Sequence, residues 1–174
     1  LERRGRFSLG ADGGLEGEVV ETRRGTLADS TRHVLLNTTQ AERAKFIENF
    51  LSGFFAGFTL LSNEVKDLDD NSRDLVFSYR FRVPAYAKAA GGMLIVRPRV
   101  LGDKRERLEG NSDRPRRLPL EFEGTSEQRD EFTIELAEGF QVEGLPPPAE
   151  LDAGFAAYAS RTELAGRSLV YRRT

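Results

Sequence analysis

The chain predicts an α+β fold: a mainly antiparallel β-sheet or sandwich with one main amphipathic helix packed on a sheet face. Three observations carry this. Residues 73–83 alternate strictly, with Leu75, Phe77, Tyr79, Phe81 and Val83 on one side and Val76, Ser78, Arg80 and Arg82 on the other. Residues 39–54 join a capping box to a phenylalanine stripe. The remaining short alternating runs follow one another without the intervening helices that parallel βαβ units require.

The elements follow in order. Arg6 to Leu9 is strand-like, and Gly10 to Gly14 reads as a turn into a second strand over Leu15 to Arg23. Residues 28–36 read as a strand, because Thr31, His33 and Leu35 alternate with Arg32, Val34 and Leu36; a short helix is the rival. Thr39 and Glu42 supply the reciprocal cap of the main helix. Phe46, Phe50 and Phe54 recur every four residues, Ile47 and Leu51 widen the stripe, and the helix is expected to stop between Gly53 and Gly57. Pro84 ends the long strand. Further strands are expected at Met93 to Arg97, Leu118 to Glu123, Glu131 to Leu136, Gln141 to Gly144, Phe155 to Arg161 and Ser168 to Arg172. Residues 102–117, with six basic and four acidic side chains, read as an exposed loop.

At 174 residues the chain suffices for one domain, 1–174, with a core that needs no staples. Apolar residues make up 39% and charged ones 31%, the composition of an ordinary folded chain rather than a disordered one. No apolar run approaches the length of a membrane-spanning helix. A net charge of -2 offers no overall basic field for nucleic acid. With no cysteine, thiolate catalysis, disulfides and cysteine-ligated zinc are excluded. The first residues carry no apolar leader segment, and the abrupt strand-like start is expected of a piece of a longer chain.

No catalytic, cofactor or metal site is expected. His33 is the sole histidine, and no Gly-x-Ser-x-Gly elbow accompanies it, so it reads as a partly exposed strand residue. Asp67 to Asn71 resembles the start of a calcium loop. Ser72 and Ser78, however, stand where the glycine and the bidentate glutamate belong, so the segment reads as a turn. The glycines from Gly10 to Gly17 do not match a dinucleotide or phosphate-loop spacing. A carboxylate pair for glycoside hydrolysis cannot be located by counting. The one candidate binding surface is a cationic strip of Arg80, Arg82, Arg97 and Arg99, set against a solvated face balanced by glutamates. Pro146 to Pro148 reads as a stiff connection rather than a polyproline ligand.

Several turns and strand ends carry a resemblance. They are Val83 to Ala87 with Gly91 to Leu94, Arg117 to Leu120, Ile134 to Leu136 with Gly139 to Pro146, Gly154 to Tyr158, and Leu169 to Arg172. In order and spacing the chain resembles the β-rich module of unknown function that follows the catalytic core in bacterial transglutaminase-like proteins. Ala137, where that module often has proline, is a departure. The resemblance implies a non-catalytic accessory or interaction domain of a transglutaminase-like or protease-like envelope protein, periplasmic or extracellular. Its partner would be the preceding transglutaminase-like domain of the same parent chain, or an envelope protein or polysaccharide. It implies no site residue. The alternative is a carbohydrate- or anionic-polymer-binding β-sandwich module using the arginine strip or Tyr79, Tyr86 and Tyr158.

Overall fold

A computed structural model describes residues 1–102 and 124–174. The strands are β1 (Glu2–Leu9), β2 (Leu15–Arg23), β3 (Thr59–Lys66), β4 (Leu75–Val83), β5 (Lys88–Ala90), β6 (Met93–Ile95), β7 (Arg129–Leu136), β8 (Ala149–Asp152), β9 (Ala157–Ala165) and β10 (Ser168–Arg173). The helices are α1 (Thr26–Leu35) and α2 (Gln40–Ser52). Eight strands form one sheet in the order β3-β4-β2-β1-β7-β10-β9-β8, and β5 and β6 make a separate hairpin. The fold is β-rich α+β, as the sequence predicts. The expected strand at Leu118 to Glu123 and, apart from Gly102, the expected loop at 102–117 lie outside the described residues.

Strand periodicity places the core. Phe7 and Leu9 of β1, Leu15 and Val19 of β2, all five inward positions of β4, and Phe132, Ile134 and Leu136 of β7 are buried on one face. Phe7 packs edge-on against Phe81 at 5.8 Å and Phe132 at 6.1 Å, which ties three strands together. Val100 and Leu101 complete this core from a loop.

The capping box of α2 is present as expected: Glu42 N donates to Thr39 Oγ1 at 3.3 Å, and Thr39 N donates to Glu42 Oε2 at 2.7 Å. Thr39→Ala is therefore expected to cost about 1 kcal/mol, read as a lowered urea midpoint. The helix ends at Ser52, with Gly53 as its cap, at the near edge of the stop expected between Gly53 and Gly57. Its fully buried side chains are Ile47 and Leu51; the phenylalanines flank them at partial burial.

Four expectations are corrected. Residues 28–36 belong to α1, not to a strand. Its buried side chains Ala28, Thr31, Arg32 and Leu35 fall at helical spacing. An arginine occupies one core position, and that hides the stripe from a hydrophobicity reading. The Arg32 guanidinium donates to the carbonyls of Asp67 at 3.2 Å and Arg73 at 2.6 Å, pinning the turn before β4. Arg32→Ala is expected to lose about 1.5–3 kcal/mol, since those carbonyls bond a charged donor; equilibrium unfolding reads it. Second, one pair departs from the antiparallel expectation: β1 and β7 run parallel, in a sheet whose other pairs are antiparallel as expected. Third, Gln141 to Gly144 pairs with no described strand. Gly139, at φ +85°, turns the chain, and Phe140 and Val142 then pack against the core instead. Fourth, the strand at Met93 stops at Ile95, and the one expected over Phe155 to Arg161 begins at Ala157 and runs on to Ala165.

Candidate functional site

A row of charged side chains lies inside the protein. On the core-facing side of the sheet, Arg173 of β10 stands opposite Asp130 of β7, Asp130 opposite Arg3 of β1, and Arg3 opposite Glu21 of β2. Inward-pointing charges of alternating sign thus follow the register across four neighbouring strands. Arg3 Nε donates to Glu21 Oε2 at 2.8 Å, and Arg3 Nη1 to Asp130 Oδ1 at 3.4 Å. Arg173 Nη2 lies 2.9 Å from Asp130 Oδ2, without an aligned hydrogen bond, and donates to Gln128 Oε1 at 2.8 Å. At the other end Arg23 Nε donates to Glu21 Oε1 at 2.6 Å, and Arg23 Nη1 donates to Thr31 Oγ1 of α1 at 2.8 Å.

The helix α2 roofs this row with aromatic faces. The Arg3 guanidinium sits 5.6 Å from the centre of the Phe50 ring; that of Arg23 sits 5.6 Å from Phe46 and 4.6 Å from Phe77. Cations are thereby desolvated against rings and compensated by carboxylates. This is what the half-buried phenylalanines of the stripe do. The Tyr79 hydroxyl, fully buried beside the row, has no hydrogen-bond partner among the described residues. Burial pushes its proton affinity well up.

Burial, the largest influence, pushes the Asp130 carboxyl above the usual carboxylate range, against the opposing pull of Arg3, Arg173 and Arg99. The sign follows from linkage. A folded-state pKa above the unfolded one contributes stability below the unfolded value, ~3.9, and loses it as pH rises through the folded value. The stability gap between the natural chain and Asp130→Asn is therefore expected to be wider at mildly acidic than at neutral pH. Urea titrations at both would show it; a gap that widens towards neutral pH would mean that ion pairing outweighs burial.

The expected arginine strip is not one surface. Arg80 and Arg82 do share the outer face, but both hold Glu16 of β2: Arg80 Nη2 donates to Oε1 at 2.5 Å and Arg82 Nε to Oε2 at 2.7 Å. Those two guanidiniums hold the Glu16 carboxyl below its usual range. Arg97 and Arg99 lie beyond β6 in a loop. Arg97 rests 6.0 Å from the centre of the Tyr86 ring, whereas Arg99 is half-buried near Arg173 and Tyr171, its pKa lowered by burial and by Arg173. The strip fails because the period-two assignment of Met93 to Arg97 extends past the end of β6.

The three tyrosines separate likewise. Tyr79 is buried, Tyr86 donates to the Arg97 carbonyl, and Tyr158 lies on β9 beside Tyr171. His33 is exposed on α1, not on a strand. In the Asp67 to Asn71 turn, Asp70 Oδ1 accepts from the Ser72 amide at 2.9 Å and from its hydroxyl at 2.6 Å, and Asp67 pairs with Arg73 at 3.3 Å. The buried charge row escaped the sequence reading because its members sit on separate strands. A residual signal was available: Arg3, Glu21 and Asp130 occupy inward phases of otherwise apolar alternations.

Residues 93–174 match the model of a family described as a domain of unknown function with a solved structure, DUF3858. The match runs from β6 to β10 and leaves the strands and helices of residues 1–92 outside it. No curated protein and no solved structure matches the chain. No helix among the described residues is long and apolar enough to cross a membrane.

Proposed function

We propose that this chain is a non-catalytic accessory module of a bacterial envelope protein, docking on or positioning a transglutaminase-like or protease-like core. The observation that carries the reading is where its chemistry is placed. Proton transfer needs a titratable group facing a concave space that substrate can enter. Here Glu21 and Asp130, at 1% and 3% exposure, face guanidiniums and aromatic rings instead, and in the outer-face groove Glu16 is held by Arg80 and Arg82 and Glu135 by Arg167. The charges hold strands in register; they serve structure. The periplasmic or extracellular setting and the transglutaminase-like neighbour belong to the same proposal.

The test is to co-express the chain with the core domain encoded next to it and to assay both. The reading expects co-purification and a core whose activity or stability changes with the module present. Hydrolase or cross-linking turnover by this chain alone would remove it. The alternative polymer-binding reading gains no support from the outer face, where Arg80 and Arg82 are engaged with Glu16.

A further inference from the structure

A groove of about 580 Å³ runs beside the C-terminal end of α2. One wall is Phe54 to Gly57, the floor includes Val83 and Tyr86, and the other wall is Ile95 to Arg97. Phe55 and Val83 are buried beneath it, while Ile95 is 62% exposed at its lip. Lys88 and Arg97 line it, and no acidic side chain does. The Lys88 ammonium has no hydrogen-bond or ion-pair partner among the described residues. Arg97 donates only a long bond, 3.4 Å, to the Val100 carbonyl and leans on the Tyr86 ring. Both cations thus flank apolar surface without an anion.

The walls carry a second feature. Ala56, Gly57 and Val96 lie outside helices and strands and enter no backbone hydrogen bond among the described residues. Main-chain groups on both sides of the groove thus lack a backbone partner among the described residues, which an added main chain could supply. An alkyl chain would leave them without partners; an extended peptide would use them.

We propose that this groove receives an extended peptide segment of a partner protein, apolar in its main contacts and carrying acidic side chains that reach Lys88 and Arg97. Apolar side chains would cover Phe55, Val83 and Ile95, and the carboxylates would meet the two cations at the rim. The proposal rests on the accessory reading and names the kind of surface such a module docks.

The probe is a capped hexapeptide of leucine and valine with two glutamates, added to the full chain and followed by amide NMR. Shifts confined to residues 54–57, 83–88 and 95–97 are expected. Lys88→Glu combined with Arg97→Glu is expected to weaken binding about fivefold or more, as rim charges do, with an unchanged urea midpoint. A peptide with lysine in place of glutamate should then prefer the double variant. No shift at millimolar peptide, or equal binding of both peptides to the natural chain, would overturn the proposal. So would tighter binding of dodecanoate at the same residues, which would make the groove a site for an amphiphile. None of these results bears on co-purification with the adjoining core, so the accessory reading stands or falls separately.

Discussion

Arg3→Met is expected to destabilise the protein by about 3 kcal/mol, the low end for a broken buried ion set, because it leaves Glu21 with Arg23 and Asp130 with Arg173 as their remaining ion partners. Arg3 is held between Glu21 and Asp130, whose side chains are 1% and 0% exposed. These anions raise its pKa despite a burial effect of opposite sign. Total stability of a domain is about 5–15 kcal/mol, so this one change should remove a large share and lower the urea midpoint accordingly. Pairing is the cause, not the volume of the side chain. A triple variant with Arg3→Met, Glu21→Leu and Asp130→Leu should therefore recover part of the loss, since apolar replacements of buried ions are often neutral or better, but not all of it, because Arg23 and Arg173 then lose their carboxylates. A loss below about 1 kcal/mol for Arg3→Met alone would show that the row behaves as a surface ion pair.

The second large effect is expected at Gly17. It stands opposite Phe7 in the β1–β2 ladder, and a Cβ there would lie 2.1 Å from the Arg6 carbonyl oxygen and 2.5 Å from the Phe7 ring. The nearest obstacle is backbone held in register, so it cannot swing aside. Gly17→Ala is expected to cost about 3 kcal/mol, the upper part of the usual overpacking range, with slowed amide exchange protection lost first in β1 and β2. Gly5 is the internal control. Its Cβ would meet only the rings of Phe7 and Phe132, at 2.5 and 2.9 Å. Rings adjust more readily than a paired strand, so Gly5→Ala should cost less. The reverse order would mean that the β1–β2 pair opens more easily than the aromatic cluster repacks.

The legible parts of this fold are those where local pattern and tertiary demand agree. β4 shows every second residue buried, and its bounds follow from that alternation. The α2 start follows from Thr39 and Glu42. Elements went unread where one residue broke the period. In β3 a bulge between Leu60 and Ser62 shifts the inward phase from Leu60 to Asn63 and Val65, so no alternation survives. β8 is exposed at all four positions and offers no apolar phase to detect. In α1 the buried Arg32 interrupts an otherwise helical stripe. The candidate site was less legible still. Arg80 and Arg82 share the outward phase of β4, but their joint engagement of Glu16 depends on β2 lying next to β4, with Arg80 and Glu16 64 positions apart in sequence.

The parallel contact of β1 with β7 sets an order on assembly. Arg3 meets Asp130 only after 127 further positions of chain have been made. At ribosomal speed that interval is roughly ten seconds, during which β1 must present a naked edge to the cell. Arg4 and Arg6 project from that strand into solvent, and like charges there discourage another copy from adding to it. The nascent amino-terminal half is thus given its own guard against sticking until the carboxy-terminal strands arrive to close the seam.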